Sequence, residues 1–544
     1  MKPVYFAAAA VVLVLAAAAA VAAGKPGPDA SSTDSSAPAV KSKFFKPEDK
    51  NSQGSVTVEG STINYQATAG TIVVHPRDWD DVDQAADSDK DAKSAKEPGP
   101  EASMFFVYYA KRGADAKDRP ITFLYNGGPG SSTVWLHMGA FGPRRVITAD
   151  DTHSPAAPYS LVNNDYSLLD ASDLVFVDAP GTGFSRIAGK DKEKAFYGVD
   201  QDAYAFSAFI SQFLAKYGRW NSPKYLFGES YGTPRSAVLI NMLETERDID
   251  FNGVMLLSQI LSFDMSADGP ETNPGVDLPY QLALPTYAAS AWYHHKIPGN
   301  PTELQPLLTQ VEHFAMTDYA LALAQGSSLS PTQRNAIAAK LHQFTGLPVW
   351  YILKADLRIN GGEFEKTLQD STDTTTGRLD TRFSGPSMDP LSKESDYDPQ
   401  SASISSAYVS AFNDYVRRQL NYGQNEEYRP ETDVFKWWDF KHKPPGADTA
   451  LQQSTNTMPD LATAMKYNPN LKVLLNGGYF DLATPYFEGI YEMHHLQIPA
   501  KMQANIEYQY YQSGHMVYAH QDSLKQIHDR VLAFVHETQN PAGK

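Results

Sequence analysis

Residues 225–244 read YLFGESYGTPRSAVLINMLE, and they divide into three parts. YLF suits a short buried strand, GESYG a tight turn, and TPRSAVLINMLE a helix whose Pro234 falls in the first turn, where a missing N–H is tolerated. A strand–turn–helix centred on a serine in a Gly-x-Ser-x-Gly frame is a nucleophile elbow, in which flanking glycines permit a strained backbone at the serine. The five-residue frame alone recurs by chance. Its context separates Ser230 from a structural serine in a glycine turn. Glu229 complicates the reading, because it sets a carboxylate beside a serine that must develop negative charge if it attacks.

Working outward, short apolar runs recur at ITFLY (121–125), DLVFVD (173–178), VMLL (254–257), LKVLLNGG (471–478) and IEYQYYQSG (506–514), each closed by Gly, Pro, Asp or Ser. VDQDAYAFSAFISQFLAKYG (199–218) carries helical spacing between two of them. This alternation predicts an α/β fold with a mostly parallel sheet covered on both faces. SVTVEGSTINYQATAGTIVV (55–74) alternates like hairpin strands separated by Gly-containing turns. Between about 280 and 450 the alternation gives way to helical patterns. One is SPTQRNAIAAKLHQFTG, where Ser330 caps, Pro331 opens the helix and Gln333 completes a capping box. The expected divisions are a signal peptide at 1–23, a flexible linker at 24–54, a core at 55–270, a mainly helical cap at 271–455 and the rest of the core at 456–540. DDVDQAADSDKDAKSAKEPGPE reads as a charged surface loop.

The chain has 544 residues, a formal net charge of −17 and no cysteine. An acidic chain lacks the basic footprint that phosphate backbones require, so nucleic acid is not an expected partner. Zero cysteines exclude disulfides, thiolate metal sites and cysteine nucleophiles. The N-terminus, one Lys followed by an alanine-rich apolar run and small residues near Ala22–Ala23, reads as a cleaved export signal. A membrane anchor is the alternative, though alanine is only weakly apolar. Export without cysteines or Asn-x-Ser/Thr sequons points to a bacterial periplasmic or secreted protein, with no membrane association once the signal is removed.

A nucleophilic serine needs a base, and the base an orienting acid. Of fourteen histidines, His515 directly follows a strand and a Ser-Gly turn, whereas His294, His295, His494 and His495 lie in helical patterns and His520 suits a cap. Asp481 lies in the loop after a buried strand. Asp178 also follows a strand but precedes the serine, against the Ser–acid–His order of such elbows. NGGPGSS (126–132) ends a strand in bare backbone that can approach a substrate. No Gly-Lys-Ser/Thr follows to make it a phosphate cradle, and no HExxH or similar cluster suggests a metal. The elbow rule makes the Tyr231 amide one oxyanion donor and takes the other from the glycine loop. No cofactor or metal is expected.

NGGPGSS, DLVFVDAPGTGFSR, FGESYGTPR, GGYFDLATP and SGHMV, in this order from about residue 100 to 530, resemble the serine carboxypeptidases, peptidase family S10, of the α/β-hydrolase fold. The resemblance implies Ser230 as nucleophile, Asp481 as triad acid, His515 as triad base, and the amides of Gly128 and Tyr231 as the oxyanion hole. It implies Asn126, Gly127 and Glu229 as the grip on a peptide's C-terminal carboxylate. A protonated Glu229 then answers the opening difficulty, since it donates a hydrogen bond where an ionised one would repel. Activity favoured at acidic pH is the consequence. Four positions depart from the family pattern. Ala140 stands where eukaryotic relatives carry a further supporting Glu, Ser131 replaces a disulfide cysteine, Leu124 replaces an aromatic residue just before the glycine loop, and Tyr479 occupies a commonly acidic position. Without that disulfide the glycine loop is expected to be held by packing alone. An esterase or acyltransferase with the same triad, and a non-catalytic binding protein on the same scaffold, are the competing readings.

Overall fold

The order of the strands follows from which apolar runs can be covered on both faces. The structure, a computed structural model, describes residues 43–79 and 99–539. The expected export signal, residues 24–42 of the expected linker and most of the charged loop lie outside those residues. One ten-stranded sheet runs through the described chain. Nine of its strands are β1 (Asp49–Val58), β2 (Ser61–Val74), β3 (Glu101–Lys111), β4 (Ile121–Tyr125), β5 (Asp173–Val177), β6 (Lys224–Glu229), β7 (Gly253–Leu257), β8 (Lys472–Gly478) and β9 (Ile506–Tyr511). They lie side by side as β1-β2-β3-β5-β4-β6-β7-β8-β9, and the short segment Arg186–Ala188 pairs with the start of β3. From β5 to β9 every pairing is parallel, while the hairpin β1–β2 and its neighbour β3 are antiparallel.

Strands β4, β5, β6 and β7 are buried along their whole length, as their unbroken apolar runs require of a sheet covered on both sides. One face is covered by α1 (Val199–Tyr217) and α2 (Gly232–Glu246), with α6 (Met458–Tyr467) against α2. On the other, α7 (Gln521–Thr538) contributes Ile527, Val531 and Phe534 to the second core cluster. Burying a Phe or Leu of this kind stabilises the fold by about 1.5–3 kcal/mol per side chain.

The insertion between β7 and β8 is mainly helical. Its longer helices are α3 (Leu278–Tyr293), α4 (Pro331–Thr345) and α5 (Pro399–Arg418), and it has its own apolar cluster around Tyr287, Phe314, Phe344 and Phe364. The Ser330–Gln333 capping box forms as its residue types predict. Two boundaries differ from expectation. Strand β1 begins at Asp49, inside the stretch expected as linker, because Asp49 through Val58 pair residue for residue with β2. The stretch 429–439, inside the expected cap, runs back along the sheet half and bridges to Gly183 and Gly198, where its backbone satisfies hydrogen bonds on turns of the core.

Register aligns the strand ends that matter. Tyr125 pairs with Gly228, Glu229 with Leu257, and Leu257 with Asn476. Asn126, Ser230, Ser258 and the 479–481 loop therefore emerge together at the C-terminal edge of the sheet, where open α/β folds build their sites.

Candidate active site

Ser230 stands between the end of β6 and the start of α2 with φ = +60°. That left-handed conformation costs a non-glycine residue of order 1–3 kcal/mol and persists only where the surroundings over-determine it. Here the Ser230 N–H donates to the Leu257 carbonyl at 2.9 Å, and the Ser230 carbonyl accepts from the N–H and the hydroxyl of Thr233, both at 2.8 Å. Ser230 is half-buried, so the strained turn presents it rather than hiding it.

Asp481 and His515 follow the ends of β8 and β9. His515 Nδ1 lies 2.9 Å from Asp481 Oδ2. Asp481 is fully buried and accepts two further bonds from Thr484, from its N–H at 3.0 Å and its hydroxyl at 2.7 Å. A carboxylate so satisfied holds the proton on Nδ1 and leaves Nε2 as the free base. Ser258 holds the His515 backbone, its Oγ donating to the His515 carbonyl at 2.7 Å while its N–H donates to the Asn476 carbonyl at 2.9 Å. Burial disfavours the His515 imidazolium, but the Asp481 charge and hydrogen bond, with Glu229, outweigh it and the net shift is upward. No hydrogen bond joins Ser230 Oγ to His515 among the described residues; such contacts commonly tighten only when substrate is bound.

The glycine loop lies hard against the elbow. A Cβ on Gly127 would fall 2.3 Å from the Tyr231 nitrogen and 2.7 Å from that of Gly232, so only glycine permits the approach. This brings residues 126–128 beside the Tyr231 amide, the arrangement two backbone donors need to share one oxygen. Arg235, fully buried on α2, donates to the Asn126 carbonyl at 2.7 Å and pairs with Asp202 of α1 at 2.5 Å, tying loop, elbow helix and α1 together. The loop is not held by packing alone: Ser132 N–H donates to Pro430 at 2.9 Å, Thr432 N–H to Gly130 at 2.8 Å, and Trp135 Nε1–H to Ser131 Oγ at 2.8 Å. Asp178, the acid set aside on order, accepts from Thr133 N–H at 2.8 Å and belongs to this support.

Glu229 is buried beneath the serine. Its partner is Tyr518, whose hydroxyl lies 2.8 Å from Oε2 and 3.1 Å from Oε1. Asn126 is oriented by Oδ1 accepting from Leu136 N–H at 3.1 Å, which leaves its NH2 for the Glu229 side. Burial pushes the Glu229 carboxyl up to about 7, with Asp481 adding to the rise; His515, Tyr518 and Asn126 pull the other way. Tyr518 and Tyr408 both press on Gly139, next to fully buried Ala140, so two phenols occupy the neighbourhood where a second acid would stand. Sequence reasoning missed Tyr518, Ser258, Thr484 and the Arg235–Asp202 pair. Only Tyr518 carried a signal, three residues beyond His515 in SGHMVY.

Fold and site together define an α/β-hydrolase with a serine, a histidine–aspartate pair and a glycine loop at one strand edge. Residues 95–275 match the family model described as serine carboxypeptidase. A serine carboxypeptidase-like protein of Oryza sativa subsp. japonica is 32% identical over 134 residues, 24% of this chain and 28% of its own length. Serine carboxypeptidase-like 36 of Arabidopsis thaliana is 25% identical over 228 residues, 39% of this chain and 44% of its own. The chain thus spans less than half the length of these curated relatives. Among solved structures, Kex1Δp, a prohormone-processing carboxypeptidase from Saccharomyces cerevisiae, aligns over 87% of this chain and 91% of its own at 16% identity and a TM-score of 0.49.

Proposed function

We propose that this chain is an exported serine-type carboxypeptidase that removes C-terminal residues from peptides through an acyl-enzyme, best at acidic pH. The observation that carries the reading is Glu229, a buried carboxyl beside the nucleophile whose pKa is pushed up to about 7. A neutral acid there donates to the substrate's terminal carboxylate, and Asn126 with the Gly127 backbone supplies the rest of the grip.

In the reaction His515 takes the Ser230 proton as Oγ attacks the last peptide carbonyl, and the amides of Gly128 and Tyr231 stabilise the oxyanion. His515 then returns the proton to the departing amino acid. Water attacks the Ser230 ester with the same histidine as base, while Asp481 holds the imidazole in register throughout. Two ionisations bound the activity: His515 must be neutral and Glu229 protonated. They are coupled, because neutralising Glu229 removes a charge that favours the imidazolium. The alanine-rich apolar run within residues 1–23 supports export.

The test compares a blocked dipeptide with its C-terminal amide, using Ser230→Ala as control, across pH 4 to 9. A carboxypeptidase prefers the free acid, and its rate falls as pH rises through the Glu229 ionisation. Equal rates on acid and amide, or preferential cleavage of a simple ester with no peptide hydrolysis, would overturn the proposal.

A further inference from the structure

Part of the insertion between β7 and β8 reaches the catalytic loops. Its residues 378–382, Arg-Leu-Asp-Thr-Arg, thread between the two loops that carry the acid and the base. The Leu482 N–H donates to the Arg378 carbonyl at 3.1 Å, and the Thr381 N–H to the Phe480 carbonyl at 2.9 Å, on either side of Asp481. On the other loop the His515 N–H donates to the Leu379 carbonyl at 2.6 Å, and the Gly514 N–H to Asp380 Oδ2 at 3.1 Å. Four bonds from one short strap thus hold both halves of the acid–base pair.

The strap is itself anchored. Asp398, the N-cap of α5, accepts from the N–H groups of Arg378 (2.7 Å) and Leu379 (3.2 Å), while the Thr381 carbonyl meets His294 Nε2 of the α3 end at 2.6 Å. Asp380 is fully buried, and Arg382 neutralises it through Nε at 3.0 Å and Nη2 at 2.7 Å. Three of the four strap bonds use backbone acceptors; only the bond to Gly514 uses a side chain. A Cβ on Gly514 would fall 2.4 Å from the Asp380 Cβ, so the His515 loop is shaped to receive this residue.

We infer that Asp380 is a positioning residue for His515: it fixes the peptide ahead of the imidazole so that Nδ1 stays on Asp481 and Nε2 faces Ser230. The inference rests on the serine-hydrolase chemistry proposed above, and needs none of its substrate assignment. A misplacement of about 1 Å at a reacting group costs on the order of 100-fold in rate, so loosening this turn is read directly in nucleophile activation.

The experiment measures fluorophosphonate labelling of Ser230, the downfield proton resonance of His515 Nδ1–H, and Tm, in the full chain. Asp380→Ala is expected to slow labelling at least about tenfold and to displace or broaden the downfield resonance. Asp380→Asn, made together with Arg382→Met so that no buried cation is stranded, keeps an oxygen for the Gly514 N–H and stays within about threefold of wild type. The double variant Asp380→Ala/Arg382→Met, which leaves no unpaired buried cation, is expected to remain slow even where its Tm recovers. Asp380→Ala, or Asp380→Ala/Arg382→Met where Ala alone does not fold, labelling at the wild-type rate with the resonance unmoved overturns the inference. So does an Asn variant that falls as far as Ala in step with Tm. Wild-type protein that does not label overturns the serine-hydrolase reading itself.

Discussion

The Tyr518 hydroxyl stands 2.8 Å from Oε2 and 3.1 Å from Oε1 of Glu229, joining residues 289 apart in sequence at the floor of the site. A phenol donates one hydrogen bond and, with its pKa raised well above 10 by burial, stays neutral wherever the enzyme works. It fills one acceptor position of Glu229 and leaves the carboxyl proton free to point at a ligand. A second carboxyl in that place would share that proton instead.

Tyr518→Phe tests this division of labour. The phenol's hydrogen bond pulls the Glu229 pKa down, so its loss raises that pKa and moves the alkaline limb of kcat/KM to higher pH. KM for free-acid dipeptides is expected to rise about tenfold, in line with losing one hydrogen bond to an ionisable group. Rates on an ester without a terminal carboxylate change little. A limb that moves to lower pH contradicts the assignment.

Glu229→Gln removes the ionisation and keeps a donor. The decline of activity across the Glu229 pKa, about 7 in the free chain, is expected to flatten, leaving the His515 ionisation to shape the acid side. A pH–rate profile superimposable on wild type shows that Glu229 does not govern the alkaline limb.

Asp481→Asn leaves the shape of the loop but not the tautomer. The amide can donate to Nδ1, which drives the proton onto Nε2 and removes the base. A fall in kcat of about 10⁴ is expected, with KM little altered, measured by burst kinetics on an activated ester. A loss below tenfold contradicts the role of this pair.

Much of this was legible because the local and global signals agree. ITFLY became β4 to the residue, and Pro234 fell in the first turn of α2 as the elbow required. Ser230, Asp481 and His515 could be chosen because strand-end position and chain order are written in the sequence. The supports could not. Arg235 and Asp202 meet through helix packing, and Ser258 reaches His515 through the register of β7 and β8. The strap at Asp380 depends on how the insertion folds back, which no periodicity encodes. The expectation that the glycine loop relied on packing failed for the same reason, since its partners Pro430 and Thr432 lie some three hundred residues away.

Stability supplies the last prediction. Burial pushes the carboxyls of Asp178, Glu492, Glu229 and Glu244 up to about 6, 7, 7 and 8, and raises those of Glu365 and Glu488 as well. Each binds a proton in the folded state that the unfolded chain has released, so folding takes up protons above pH 4.5 and stability falls as pH rises. His442 acts in the same direction. Burial disfavours its charge, but Asp200 and Asp460 at 2.6 and 2.7 Å outweigh it and raise its pKa to about 9. Its contribution is full below pH 6.5 and lost as pH climbs through 9. His137, buried and lowered to about 3, opposes this only below pH 6.5, where its unfolded form charges. Asp178 has lost most of its contribution by pH 6.5, but from pH 6.5 to 9 the higher-titrating carboxyls and His442 act together, and Tm is expected to fall across that window. Glu492→Gln should remove part of the slope by deleting one buried ionisation while keeping the side chain's shape. A Tm that is flat or rising between pH 6.5 and 9 would show that these carboxyls ionise without cost in the folded protein.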